Sequence, residues 1–161
     1  MSVVSRDVRD LLRLFRKHGV EFAVCGGHAV AFHGYTRLTM DVDILVAPSS
    51  ANAARVMRSL RDFGFGAAGI PETAFCQTGT AVTLGAQPNQ VDLLTSMSRT
   101  PTREVLSRAV AGRLAGVPVR FVALSDLVRA KRQAGRRKDL ADIEGLRRPH
   151  RSTRSRKRAS S

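Results

Sequence analysis

Asp41 and Asp43 stand two residues apart in the run TMDVDILV, residues 39–46 of a 161-residue chain. Alternation and β-branching predict a strand there, and side chains two apart on a strand leave the same face. Two carboxylates on one face repel each other unless a cation sits between them. Mg²⁺, or Mn²⁺ in its place, is the cation that suits, because it takes one or two carboxylates and completes its shell with substrate phosphates. Asp92 is the third candidate, a lone charge in the apolar run Val91-Asp92-Leu93-Leu94. A buried carboxylate without a partner is expensive. If its strand neighbours the Asp41/Asp43 strand, the three meet at a two-metal site. Such a site holds a triphosphate, activates an attacking oxygen and stabilises the leaving pyrophosphate.

The residues just before these carboxylates supply a place for phosphate. In VCGGHAVAFHGYTRLTMDVDILV, residues 24–46, an apolar run enters Gly26-Gly27 and continues as a helix. Glycines at such a turn let backbone N–H groups approach a phosphate, and the helix dipole adds to the attraction. His28 follows directly and can act through its ring or leave the work to the amides. His33 reads as a structural histidine.

Other elements must bring these pieces together. Residues 5–18 read as an amphipathic helix, with Val8, Leu11, Leu12, Leu14 and Phe15 at helical spacing and Gly19 as its stop. Residues 20–25 read as a strand, 28–33 as a short helix ended by Gly34, and 39–46 as the strand bearing Asp-x-Asp. Ser49 or Ser50 caps a helix to about 63, with Ala53, Val56, Met57 and Leu60 on one face. Residues 66–88 hold short β-like pieces broken by Gly and Pro. Strand 90–95, helix 102–111 and strand 117–123 follow. Ser125 is expected to cap a helix to about 134, and 130–147 (AKRQAGRRKDLADIEGLR) reads as helix, turn, helix. The expected fold is α/β: a mixed sheet flanked by helices and followed by a C-terminal helical element. Residues 1–146 form one domain. Residues 147–161, rich in Arg and Ser, form a disordered basic tail that binds phosphate backbones or solubilises the chain.

The helical element carries further cations. Lys131, Arg136 and Lys138 read as a cationic wall for a triphosphate, or as a solvated basic face. Asp139 and Asp142 lie three apart on one helix face and are expected to tie that helix to basic neighbours.

Taken as a set, Gly26-Gly27, a short helix, Asp41-x-Asp43 and a strand-borne Asp92 resemble the nucleotidyltransferase superfamily. The likeness runs over roughly residues 20–146. It is nearest in flavour to the minimal members and to the AbiEii-type toxins of abortive-infection systems. In that branch an Arg and a Thr precede the Asp-x-Asp, matched here by Arg37 and Thr39, and a helical element like residues 130–143 follows the sheet. The resemblance implies transfer of a nucleoside monophosphate from an NTP to an acceptor hydroxyl. Asp41, Asp43 and Asp92 are then catalytic and metal-binding. Gly26, Gly27, His28, Arg37, Thr39, Lys131 and Arg136 are nucleotide-binding. It further implies a tRNA or other RNA acceptor and an antitoxin partner. Two departures bear on this. The common Gly-Ser turn is Gly-Gly-His here, and no large acceptor-binding domain follows. A degenerate module that binds RNA or protein, and an antibiotic-modifying transferase, are the competing expectations.

Charge favours the first acceptor class over the last. Lys and Arg number 27 against 13 Asp and Glu, a net +14 that attracts polyanions and repels cationic aminoglycosides. Aromatic residues make up 5 %, too few for a stacking platform on single-stranded nucleic acid. Cys25 and Cys76 are isolated, which suggests neither a zinc site nor a disulfide framework. No apolar run approaches the ~20 residues of a membrane span, and the N-terminus lacks a signal core. A cytoplasmic location is expected.

Overall fold

The computed structural model describes residues 4–65 and 69–148. Along the chain come α1 (Arg6–Lys17), β1 (Phe22–Cys25), α2 (Gly26–Phe32), β2 (Val42–Val46) and α3 (Ser50–Phe63). A 3₁₀ turn (Glu72–Phe75) leads to β3 (Ala81–Leu84), β4 (Val91–Leu94) and α4 (Thr102–Ser107). Then follow β5 (Val110–Leu114), β6 (Val117–Phe121), α5 (Leu124–Ala134) and α6 (Arg137–Arg147). Among the described residues the strands form one mixed sheet in the order β3-β4-β2-β1-β6-β5. β1 pairs antiparallel with β2, β2 pairs parallel with β4, and β1 pairs parallel with β6. The expected α/β architecture with a C-terminal helical pair is what the chain builds.

Local sequence explains most of the boundaries. Ser5 caps α1 by accepting from the Val8 amide, and Val8, Leu11, Leu12 and Phe15 form its buried stripe. Ser49 caps α3 through the Asn52 amide, and Gly64 ends that helix with φ of 108°, which favours glycine. Asn52 is itself buried. Its side chain accepts from the Glu21 amide and donates to the Glu21 and Ala47 carbonyls, fastening α3 to the ends of β1 and β2. Apart from Asp43 and Asp92, the central strands are apolar: Ala23, Val24, Ile44, Leu45 and Leu93 keep no exposure at all. Each such side chain contributes about 1.5–3 kcal/mol on leaving water, alanine less.

Four expectations are corrected. Strand 39–46 starts at Val42, so Asp41 lies just before β2 and does not share its strand with Asp43. The preceding loop is drawn off by Arg37, which donates to the Leu38 carbonyl and to Asp142, and Val42 N–H makes the first ladder bond, to Gln90. Helix 102–111 stops at Ser107, and residues 110–114 are strand β5. Ala115 and Gly116, with φ of 51° and 81°, turn β5 into β6 as a two-residue hairpin between paired Leu114 and Val117. The N-cap of α5 is Ala123, not Ser125. The short helix begins at Gly26, two residues early. Of the β-like pieces in 66–88, β3 is a strand, 72–75 is a 3₁₀ turn, and residues 66–68 lie outside the described residues. The basic tail also lies outside them from residue 149 onward, whereas Arg147 is the last residue of α6. No helix among the described residues is long and apolar enough to cross a membrane.

Candidate active site

Strand register gathers the acidic residues. Asp43 on β2 is paired with Cys25 on one side and with Asp92 on the other. Neighbouring strands lie ~4.8 Å apart and paired residues share a face, so the Asp43 and Asp92 carboxyls stand side by side. Burial, followed by the charge of Asp92, a hydrogen bond with it and the charge of Asp41, pushes the Asp43 carboxyl up to about 6. Lys138 pulls in the opposite direction, which puts its ammonium within electrostatic reach of Asp43. Asp41 joins through its neighbours. Gln90 Nε2 donates to Asp41 Oδ2 at 3.5 Å and to both Asp92 oxygens at 3.2 Å. Thr83 Oγ1, on β3, donates to Asp92 Oδ1 at 2.7 Å.

The Gly-Gly turn closes tightly over this cluster. Gly26 has φ of 63°, and a Cβ there would lie 2.0 Å from Asp43 Oδ2. Only glycine lets the turn rest against the carboxylate. A Cβ on Gly27 would lie 2.5 Å from Thr39 Oγ1 and 3.3 Å from Arg37 Nη1, so the loop before Asp41 packs directly on the turn. Thr39 also donates to the Asp41 carbonyl at 3.3 Å. His28 is buried in α2; burial first, and Arg37 second, lower its pKa and favour the neutral ring. His33 bonds the Val122 carbonyl at 2.8 Å, the structural place expected for it.

The expected cationic wall is mostly engaged. Arg37 forks onto Asp142 at 2.6 and 2.9 Å, Lys131 reaches Asp142 at 2.8 Å and Asp139 at 3.4 Å, and Arg136 holds Asp139 at 2.7 Å. This chain of pairs joins the loop before Asp41 to α5 and α6, the tying role expected of Asp139 and Asp142. Among the described residues Lys138 has no ion-pair partner, although its charge lowers the Asp43 pKa. Cys25 lies beside Asp43, but burial above all drives its thiol far above the ordinary value, so it is no nucleophile.

The acidic cluster suits a divalent cation on two counts. Asp41 Oδ1 is buried and, among the described residues, has no hydrogen-bond partner. The donors are hard oxygens crowded by like charge, as Mg²⁺ or Mn²⁺ prefers. Among the described residues no group of three His, Cys, Asp or Glu side chains is arranged to hold a metal ion, and the Gln90 amide lies between Asp41 and Asp92. Gln90, Thr83 and Lys138 are the contributors that sequence reading missed or left undecided. Gln90 sits two residues before Asp92, just ahead of β4, and that spacing is the one signal in the sequence that points to it.

The sequence profile of a family described as nucleotidyl transferase of unknown function (DUF2204) matches residues 4–158. The chain belongs to that family. Its match covers nearly the whole sequence, including the sheet, the Gly-Gly turn, the three aspartates and the helical pair. No curated protein matches the chain by sequence.

Proposed function

We propose that this nucleotidyl transferase family member moves a nucleoside monophosphate from an NTP to an acceptor hydroxyl. The observation that carries the reading is the in-register pair Asp43–Asp92 beneath the Gly26 turn, with the unpartnered Asp41 oxygen beside it. Asp41, Asp43 and Asp92 would hold Mg²⁺ or Mn²⁺, which when bound neutralises their charge and polarises the triphosphate. The Gly26 and Gly27 amides receive the β- and γ-phosphates, and Arg136 and Lys138 offer positive charge on the α6 side. Arg37 and Lys131, through Asp142, hold the loop and helix that flank the nucleotide. Asp92 accepts the proton of the acceptor hydroxyl. The acceptor oxygen bonds to the α-phosphorus as the bond to pyrophosphate breaks, with pyrophosphate leaving. The net +14 favours an RNA acceptor, which is compatible with a toxin held by an antitoxin partner. The Gln90 amide between Asp41 and Asp92 favours a second reading, a degenerate module that binds RNA or protein without catalysis.

Labelled NTPs incubated with total RNA and with lysate protein test the first reading. Asp41→Ala and Asp43→Ala should each abolish label transfer, and undiminished transfer by both overturns it. Calorimetry with Mg²⁺ and each NTP separates the two. Metal-dependent nucleotide binding favours the enzyme, and salt-sensitive RNA binding without it favours the module.

A further inference from the structure

A large cleft lies away from the carboxylates, at the opposite end of the same strands. It has a volume of about 950 Å³ and runs between β1 and β6 under α4. Its origin is an incomplete ladder. β1 and β6 pair at Val24–Phe121, with the adjoining Val122 amide bonded to Val24, and the pairing is not continued toward Phe22 and Val119. Pro118, which has no N–H to donate, stands on β6 at that level. The two strands therefore leave a gap where a sheet would normally close.

The gap opens the hydrophobic core. Val20, Phe22, Leu106 and Val119 line it and keep 6–9 % exposure, while Ala23, Val24 and Val122 alongside keep none. Around this apolar floor stand Arg16, Arg103 and Arg120, against the single carboxylate of Glu21. Arg120 is anchored by a hydrogen bond to the Leu106 carbonyl, whereas Arg16 and Arg103 are exposed and their side chains bond no other group among the described residues.

We propose that this cleft is a docking groove for an acidic peptide segment of a partner protein, one that carries apolar side chains between its carboxylates. The floor supplies burial for the apolar anchors, and the arginines pair with the carboxylates. The chain cannot supply that segment from its own tail: residues 147–161 contain no Asp or Glu and share the charge sign of the rim. A second copy at +14 is equally uncomplementary. RNA would meet the arginines but gain little from an apolar floor whose one ring, Phe22, is 9 % exposed and offers no face for base stacking. The groove lies about 10 Å along β1 from the Asp43 level, at 3.3 Å per residue, so a bound segment leaves the carboxylates uncovered.

The test titrates the full chain with three fluorescent probes. They are a twelve-residue peptide alternating Glu or Asp with Leu or Phe, a twelve-residue oligoglutamate, and a twelve-nucleotide RNA. The mixed peptide should bind about tenfold tighter than oligoglutamate, because burial of its anchors adds to charge. The double variant Arg16→Glu/Arg103→Glu should weaken both peptides about tenfold, because both depend on the rim charge. Ala111→Trp, which fills the groove from an exposed position on β5 with no charge change, should erase the advantage of the mixed peptide. Circular dichroism checks that both variants fold. Equal affinity for the two peptides, or full affinity retained by both folded variants, overturns the proposal. So does an RNA affinity that falls in both variants while the mixed peptide stays unaffected.

Discussion

Gln90 spreads the two hydrogens of one amide over three carboxylate oxygens, at 3.5 Å to Asp41 and 3.2 Å to each oxygen of Asp92. It therefore orients two of the three candidate ligands without a charge of its own. Gln90→Leu keeps the bulk and removes the donors, and it should weaken Mn²⁺ binding about tenfold, as loss of an outer-sphere partner does, measured by calorimetry. Asp43 gives the pH dependence. Its carboxyl, pushed to about 6, holds a proton below that value, and the proton must leave before a cation can bind. Mn²⁺ affinity should rise with pH up to about 6 and level off above it. Asp92→Asn removes the neighbouring charge and should move that midpoint downward. A midpoint that stays in place would show that Asp92 does not act on Asp43. At this scale the sequence was informative where chemistry and spacing coincide. Asp43 and Asp92 stand out as charges in apolar strands. Gln90 does not, because an amide beside a strand has many uses.

The α5–α6 pair is held to the sheet side by Asp142, whose side chain is 1 % exposed and serves both Arg37 and Lys131. Burial alone would raise the Asp142 carboxyl, but the bonds and charges of Arg37 and Lys131 outweigh it and hold the group below its usual range. Asp142→Asn leaves two cations short of a partner and should cost about 3 kcal/mol in urea unfolding. A second contact is purely steric. A Cβ at Gly145 of α6 would lie 2.4–2.5 Å from the Tyr35 ring, so Gly145→Ala should lower stability by about 1–3 kcal/mol through overpacking. Of the elements, α1 and α3 are legible because their caps and apolar stripes agree. β5 was hidden, since residues 102–111 keep a helical look until Gly112, and only the Ala115-Gly116 hairpin reveals the strand. Asp41's place outside β2 was not legible either. It depends on Arg37 reaching a residue 105 positions away, and no local pattern encodes that.

Over the whole molecule, charge and pH act in opposing ways. Asp43 binds its proton more tightly folded than unfolded, so its share of stability falls as pH rises from 3.8 toward about 6. Asp139 and Asp142 are shifted down, so their share is present above 3.8 and is lost as pH falls through their lowered values. Asp43→Asn should remove the first slope and leave the second, as urea titrations across that range will measure. The net +14 should make polyanion binding fall steeply with added salt. The same long reach between Arg37 and Asp142 has a consequence in time. A ribosome releases Asp41, Asp43 and Asp92 well before residues 139–142. A nascent or prematurely terminated chain therefore carries every candidate ligand but not the carboxylate that fastens the loop before them. Synthesis of α6 is the step that supplies this fastening.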